Sequence, residues 1–254
     1  IVFIAILILV VLLNQLAFAE NFGDVFIIPI KGEINRATFN FISSTLNKVL
    51  EKNPAAIIFE IDTYGGLITE TEKIKNLIMA LDIPTISFVN NKAESAGVLL
   101  AISSEKLVMA NSSTIGSAET IPDTEKVLSM WRSFLRDAAQ QRGRDSNIIE
   151  AMADSDIYIE GISQKGKLLN LTGKEALELG VADLVSDSYE EILDNFNISY
   201  NSIVQVDESL ELKFAKLLAN SYISTLLITI GLIGFVIELF TPGFGIGGII
   251  SIIS

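Results

Sequence analysis

Ala55-Ala56-Ile57-Ile58-Phe59-Glu60-Ile61-Asp62-Thr63-Tyr64-Gly65-Gly66 is the stretch of sequence that decides the fold. Residues 55–62 are nearly all apolar, which is typical of a parallel strand that is buried on both faces. The Asp-x-x-Gly-Gly turn that follows can aim free backbone N–H groups at a developing oxyanion. Because the loops after parallel strands meet at one edge of an open sheet, where ligands bind, we expect this turn to form part of a functional site.

Short β-rich runs alternate with helical stretches between about residue 23 and residue 195, and this alternation predicts an α/β domain. The predicted strands are Val25–Ile30, Ala55–Asp62, Pro84–Val89, Lys106–Ala110, Ile157–Glu160, Lys167–Leu171 and Val181–Val185. The predicted helices are Thr38–Leu50, Leu67–Leu81, Ala96–Ser103, Pro122–Arg142 and a short helix that Thr172 caps and Gly180 ends. One side of the 122–142 helix carries Val127, Trp131, Phe134 and Ala138, which is more typical of a core or subunit contact than of a cofactor site.

Ser95 is the candidate nucleophile, in the small-residue turn Lys92-Ala93-Glu94-Ser95-Ala96-Gly97. A turn of this kind between a strand and a helix can expose a hydroxyl at the start of the helix. The alternative role is a helix N-cap, which is the commonest function of a serine in front of Ala-Gly. The Gly65-Gly66 turn lies one βαβ unit upstream, and this pairing favours the nucleophile.

Composition restricts the chemistry that such a serine can use. The chain of 254 residues contains neither histidine nor cysteine, so a Ser-His-Asp triad and a thiolate are both excluded. A base for Ser95 must therefore be a lysine or a carboxylate, or it is absent. The net charge of −13 argues against a nucleic-acid surface, because no basic stripe is present to neutralise phosphates. We expect no metal and no cofactor.

Apolar segments at both ends predict a membrane protein. Ile1 to Leu13 is an unbroken apolar run followed by Ala17-x-Ala19, so residues 1–19 are interpreted as a signal peptide or N-terminal membrane anchor. Residues 222–240 are long enough to cross a bilayer, although a buried core helix is the alternative. A second apolar run over 244–253 favours the membrane, so we interpret 222–254 as the truncated start of a multi-span domain.

The region between these segments is predicted to be one protease-like domain and a connection. We assign residues 23–195 to the domain and 196–221 to a linker, in which 207–220 is helical. This order, with a signal or anchor first and spans afterwards, predicts a multi-pass protein of the cell membrane. Since long domains translocate largely regardless of their charge, we expect the domain to lie outside the cytoplasm.

The ordered motifs resemble the NfeD family of membrane-bound, ClpP-fold serine proteases, which are relatives of signal peptide peptidase A. The resemblance rests on Asp62–Gly66, Ala93–Gly97, Ser113-Thr114-Ile115-Gly116-Ser117, Leu171–Ala176, Gly180-Val181-Ala182-Asp183 and Glu238–Gly245. It covers nearly the whole chain in the right order. The resemblance implies a ClpP/crotonase-like ββα spiral domain followed by transmembrane helices.

The same resemblance implies roles for individual residues. Ser95 is the nucleophile, and backbone N–H groups near Gly65, Gly66 and Ala96 form the oxyanion hole. Proteases of this type use a Ser-Lys dyad whose lysine lies on the long helix after the serine. Arg136 occupies that position here. An arginine side chain does not lose its proton in proteins, so it is a poor general base.

Other residues around the serine could replace that base only if the fold brings them to Ser95. Lys126 lies on the same predicted helix as Arg136, and Lys92 precedes the serine turn. For both, a solvated surface lysine is the more common role. Glu94 is adjacent to Ser95, but neighbouring residues at a turn usually point apart.

Three functions are compatible with these residues. The first is a membrane-anchored serine endopeptidase that acts on hydrophobic segments of membrane-associated proteins. The second, favoured by Arg136, is a catalytically inactive scaffold that binds stomatin- or flotillin-like membrane partners. The third is a crotonase-like acyl-CoA enzyme, which the membrane segments and the lack of a basic cluster disfavour. We expect a homo-oligomer in contact with the lipid bilayer and no nucleic-acid partner.

Overall fold

The computed structural model describes residues 22–219 and 221–240. The predicted signal or anchor segment, residues 1–19, and the second apolar run, residues 244–253, lie outside the described residues.

A mixed α/β arrangement fills the described part of the chain. Its strands are β1 (Val25–Lys31), β2 (Ala56–Thr63), β3 (Thr85–Glu94), β4 (Lys106–Met109), β5 (Thr114–Gly116), β6 (Asn170–Thr172), β7 (Leu184–Val185) and β8 (Ile203–Gln205). Its helices are α1 (Arg36–Leu50), α2 (Ile68–Met79), α3 (Ala96–Ala101), α4 (Glu125–Gln141), α5 (Ser146–Ala151), α6 (Gly173–Glu178), α7 (Tyr189–Asn195), α8 (Leu210–Ala219) and α9 (Ser221–Leu239).

The sheet is built around β2, which pairs in parallel with β1 and β3. β3 changes partner along its length: Ile86–Val89 pairs with β4, and Lys92–Glu94 pairs with β5. The change follows an irregularity in the β2–β3 register between Ile61 and Thr63. The last residues of β3 lie between the end of β2 and β5. β5 pairs on its other side with β6, in antiparallel fashion. This places the residue after β3 at the carboxyl edge of two strand pairings.

Burial on both faces explains the apolar composition of β2. Ile57, Phe59 and Ile61 belong to the larger core, which α1 to α5 cover. Ala56 and Ile58 face a smaller cluster, to which α7 contributes Ile192 and Leu193. The prediction of a buried parallel strand is therefore confirmed.

Three of the short predicted strands differ in the structure, and the one predicted over 181–185 is confined to Leu184–Val185. The prediction of a strand over 157–160 is wrong: the backbone there is irregular and leads into a turn at Glu160, and Ile157 and Ile159 pack against the edge of the core. Their backbone is held locally, since Ile159 N–H donates to Ser163 Oγ and no neighbouring strand pairs with it in the described residues. The strand predicted over 167–171 begins later, at Asn170. Alternating apolar residues here mark an edge of the core rather than a β ladder.

The sheet also continues past residue 195, where we predicted the domain to end. β8 pairs with β1 in parallel, and Val25 N–H donates to Ser202 O at 2.9 Å. Farther on, α8 packs against α1 and buries Leu212. Part of the segment predicted as a linker is therefore integral to the sheet and its covering helices.

α9 is the one helix in the described ranges that is long and apolar enough to cross a membrane. Its window Tyr222–Leu239 has a mean hydropathy of 2.0, and only 11% of it is buried inside the structure. A core helix of a soluble protein is mostly buried, so the packing does not support the alternative of a buried core helix.

Asp183 holds together the loop that ends the Gly180-Val181-Ala182-Asp183 motif. Its carboxylate accepts hydrogen bonds from Leu107 N–H at 2.8 Å and from Arg144 Nη2 at 3.1 Å. The Arg144 side chain is almost fully buried, and it also donates to Val181 O. Burial lowers the pKa of Arg144, and the adjacent carboxylate opposes that effect. Asp183 thus compensates a buried charge while it anchors β4.

We predict that Asp183→Ala lowers the free energy of unfolding by about 3 kcal/mol, because it removes the carboxylate that compensates the buried Arg144 charge. Asp183→Asn should cost less, since its amide oxygen can still accept from Leu107 N–H. Urea unfolding of a fragment spanning residues 22–219, which keeps α8, measures both when it is followed by circular dichroism. Equal stability of Asp183→Ala and the wild type would contradict this role.

Candidate active site

Ser95 lies at a strained elbow between β3 and α3. Its backbone has φ 53° and ψ −122°, a left-handed region that residues with a side chain rarely adopt. The Ser95 N–H donates to Gly116 O at 3.0 Å, which ties the elbow to β5. The side chain forms no capping hydrogen bond with α3 and is half-buried. The hydroxyl is therefore not used as a helix cap, which was the alternative role.

Gly65 packs directly against this elbow. Its φ is +106°, and a Cβ atom at this position would lie 2.6 Å from Ser95 Cβ and 3.0 Å from Ser95 Oγ. Gly66 has a different constraint, because a Cβ atom there would lie 2.1 Å from Ile34 O. The two glycines are needed for close approach, Gly65 to the serine and Gly66 to the segment that follows β1.

The backbone N–H groups around Ser95 divide into engaged and free donors. Gly65, expected to contribute to an oxyanion hole, donates its N–H to Thr63 Oγ1 at 2.8 Å and is engaged within the turn. Within the described residues, the N–H groups of Gly66 and Ala96 have no hydrogen-bond partner. Ala96 is the first residue of α3, whose early N–H groups have no acceptor within the helix. Two free donors remain beside the serine.

These groups face a cavity of about 520 Å³. Its lining consists of Glu33, Tyr64, Gly66, Leu67, Ile68, Thr69, Ser95, Ala96, Glu119, Thr120, Ile121 and Trp131. The rim carries apolar side chains that are open to solvent: Ile121 is 95% exposed and Tyr64 is 78% exposed. A cavity with an apolar rim, free N–H donors and a serine hydroxyl can hold an extended acyl substrate.

Arg136, which resemblance places at the position of the lysine, is directed elsewhere. Its Nε and Nη2 donate to the two carboxylate oxygens of Glu150 at 2.7 and 2.6 Å. This bidentate pair joins α4 to α5, and it raises the pKa of Arg136. Arg136 does not line the Ser95 cavity. It is a structural ion-pair partner in the described structure and is unsuited to act as a base.

The other residues considered as bases are also outside the cavity. Lys92 Nζ donates to the Tyr64 hydroxyl at 2.8 Å, which raises the pKa of Lys92. Lys126 is exposed at the start of α4. Glu94 accepts hydrogen bonds from Thr114 and Asn170, so it points away from its neighbour Ser95, as expected. Within the described residues, no lysine lines the cavity.

Most residues that line the cavity, including Glu33 and Glu119, were not singled out as site residues from the sequence, and two of them, Trp131 and Thr120, are buried. Trp131 lines the wall on α4, is buried, and donates its indole N–H to Ala118 O at 2.9 Å. Its membership of the apolar stripe of α4 was the available signal, and the stripe was assigned to core packing. Thr120 is also buried, and its hydroxyl has no partner within the described part of the chain. No local pattern distinguishes a threonine of this kind.

A serine at a strained strand–helix elbow, paired with a glycine turn at the edge of a mainly parallel sheet, defines a ClpP-like domain with a serine-centred site. A family model described as "NfeD1b, N-terminal domain" matches residues 24–206. The chain belongs to this family. The match extends past residue 195 and includes β8, in agreement with the observed sheet.

Two curated relatives cover most of the chain. Membrane protein NfeD1b of Bacillus subtilis is 30% identical over 236 residues, which is 91% of this chain and 54% of the relative. Membrane-bound protease PH1510 of Pyrococcus horikoshii is 26% identical over 266 residues, which is 93% of this chain and 57% of the relative. The chain thus spans a little over half the length of both relatives.

Solved structures of the 1510-N protease share the fold. The protease described as specific for a stomatin homolog from Pyrococcus horikoshii aligns with a TM-score of 0.62 and 26% identity, over 80% of this chain and all of that one. A variant of 1510-N in complex with a substrate peptide aligns with a TM-score of 0.66 and 24% identity, over 82% of this chain and 100% of the other. The mixed α/β architecture therefore matches that of a protease domain.

We predict that Arg136→Gln changes stability and leaves the reactivity of Ser95 intact. The substitution removes the charged partner of Glu150, and we expect a loss of about 1 kcal/mol because the Arg136 side chain is 44% exposed. Urea unfolding measures the first effect, and labelling of Ser95 by a fluorophosphonate measures the second. Loss of labelling in a folded Arg136→Gln protein would place Arg136 in the site.

We also predict that Thr120→Val does not destabilise the domain. The substitution removes a buried hydroxyl without a partner, and leaving such a group unsatisfied costs about 1 kcal/mol or more. The midpoint of urea unfolding should therefore stay constant or rise. Thr63→Val is the matched control, because the Thr63 hydroxyl bonds to both Gly32 O and Gly65 N–H, and its loss should lower the midpoint.

Proposed function

We propose that the protein is a membrane-anchored serine endopeptidase in which Ser95 attacks the scissile carbonyl. The observation that carries this proposal is the strained elbow, which presents an uncapped hydroxyl beside two free N–H donors at an open cavity. Strained backbone of this kind persists only where the surrounding structure enforces it, and it concentrates at active sites. The match to a protease domain of the same fold supports the reaction class.

The two free N–H groups supply the electrostatic part of this chemistry. When Ser95 Oγ adds to the carbonyl carbon, the carbonyl oxygen gains negative charge. The N–H groups of Gly66 and Ala96 are already fixed by the turn and by the start of α3, so they stabilise that charge without reorganisation. One such donor is typically worth about 3 kcal/mol of the barrier.

The proton of Ser95 needs an acceptor among the groups that line the cavity. In the described part of the chain, the ionisable side chains there are Glu33, Tyr64 and Glu119. A general base must come within hydrogen-bond reach of the serine hydroxyl, directly or through one water. We infer that a carboxylate takes this role in place of a lysine, and the variants Glu33→Gln and Glu119→Gln distinguish the two candidates.

The apolar rim supports hydrophobic segments of membrane-associated proteins as substrates. Ile121, Tyr64 and Leu67 expose apolar surface around the opening, which suits an extended hydrophobic peptide. The 1510-N relative is described as specific for a stomatin homolog, and we extend a stomatin- or flotillin-like partner to this chain as part of the proposal. The proposal also includes a signal peptide or anchor over 1–19, further spans after α9, an extracytoplasmic domain and a homo-oligomer.

A scaffold without catalytic activity is the second candidate. It is favoured by the cavity wall on α4, which is formed by Trp131. Among the described residues that line the cavity, none is a lysine. Arg136 is engaged with Glu150 and cannot accept a proton. In this case the same cavity would bind a hydrophobic segment of a membrane partner without cutting it.

We predict that Ser95→Ala lowers cleavage of a hydrophobic peptide at least about a thousandfold, because removal of a nucleophile abolishes the covalent step. Ser133→Ala is the matched control, since Ser133 is exposed on α4 and its hydroxyl donates to Met130 O of its own helix. Chromatography of the products with detergent-solubilised protein measures both.

The same pair of variants separates the protease from the scaffold. A fluorophosphonate that labels the wild type and Ser133→Ala, but not Ser95→Ala, supports the protease. Equal cleavage by Ser95→Ala and the wild type would refute it. Peptide binding without cleavage or labelling in any of the proteins would establish the scaffold.

A further inference from the structure

α8 leads the chain towards the edge of the sheet that carries Ser95. This helix packs against α1 and buries Leu212. Near its end, Lys216 lies against Gly32: a Cβ atom at Gly32 would be 3.6 Å from Lys216 Cε. Gly32 directly follows β1, and its N–H donates to Asp62 O at the end of β2. The end of α8 is therefore at the carboxyl edge of the parallel strands.

The residue next to Gly32 already belongs to the cavity. Glu33 lines the same cavity as Ser95 and is exposed. A second connection runs through Thr63, whose hydroxyl donates to Gly32 O and accepts from Gly65 N–H, while Gly65 packs on Ser95. The Lys216 side chain thus contacts Gly32, and the next residue in the chain, Glu33, is part of the cavity wall.

The apolar helix α9 begins only five residues after Lys216. Five residues span at most about 18 Å even when they are fully extended. If α9 crosses the bilayer, the span therefore begins within about 18 Å of the Lys216 backbone, and the end of the Lys216 side chain contacts the turn after β1. The opposite edge of the sheet lies near Glu51, which precedes the start of β2 at Ala56. That edge is farther from Lys216 by about the length of the strands.

Exposed apolar side chains mark the same end of the molecule. On α8 they include Phe214, Leu217 and Leu218, and Tyr222 follows at the start of the apolar window. Apolar and aromatic residues next to a span are typical of the membrane–water interface. Ile121 and Leu67 add exposed apolar surface at the rim of the cavity.

We propose that the Ser95 cavity opens at the membrane surface, so that the substrate is the segment of a membrane protein that immediately flanks its own span. This inference rests on the proposed peptidase function and adds where the scissile bond lies. A segment anchored beside the cavity reaches a high effective concentration there, whereas a site far along a soluble domain does not. The cavity selects by distance from the bilayer as well as by side chains.

The position of the cavity relative to the bilayer can be tested by a measurement that does not depend on peptidase activity. The chain has no native cysteine, so Glu33→Cys and its matched control Glu51→Cys each provide one label site. The full chain, labelled with an environment-sensitive dye, is reconstituted in phosphatidylcholine vesicles that carry a nitroxide on the headgroup. We expect loss of most of the fluorescence at residue 33 and little loss at residue 51. Equal quenching at both positions, or stronger quenching at 51, would overturn the proposal.

The substrate is tested in the same vesicles with single-span proteins that carry one cleavable sequence at different distances from the span. We expect cleavage about 5 residues from the span to be about tenfold faster than cleavage about 30 residues away. A flexible insertion between α8 and α9 should move the preferred position outward. Equal rates at all distances would overturn the inference and leave the peptidase standing. Quenching at residue 33, together with no cleavage and no labelling of Ser95 in the protein that keeps Glu33, would instead refute the peptidase while it supports the position of the cavity.

Discussion

The contact between Gly65 and Ser95 is the constraint on which the site depends. The turn after β2 and the elbow after β3 meet because these two strands are parallel neighbours in the sheet. Their backbones approach so closely that no Cβ fits at Gly65. Thr63 holds the turn in place through its bonds to Gly32 O and Gly65 N–H. Loss of either feature would separate the serine from the Gly66 donor.

Local patterns were sufficient for the central part of the fold. β2 is apolar on both faces because two clusters of helices cover it, and an apolar run of this length predicts such a strand. The short strands β5 and β8 have three residues each, too few for a periodic signal. They form because a neighbouring strand offers free backbone groups. The change of partner along β3 likewise depends on β5, which its own sequence does not reveal.

The same distinction explains the outcome at the site. Ser95 and Gly66 were predicted from an elbow and a turn, whose backbone requirements are local, and Ala96 was implied by the family resemblance. The structure brings all three to one cavity. Which side chain bonds to which group is decided by tertiary packing. Gly65 N–H is therefore taken by Thr63, and no rule based on spacing assigns that bond.

Acyl transfer by a serine needs donors that stabilise the oxyanion and a base that takes the serine proton, and the described part of the cavity shows the donors more clearly than the base. Stabilisation of an oxyanion needs only fixed backbone donors, and the sheet supplies them wherever the glycine turn meets the elbow. Proton transfer needs a particular side chain at a particular distance, and α4 presents Trp131 there while Arg136 binds Glu150. Under the proposed function, the oxyanion donors would therefore stay in place even when the base changes. The proton acceptor of Ser95 is the feature that separates a peptidase from a binding scaffold.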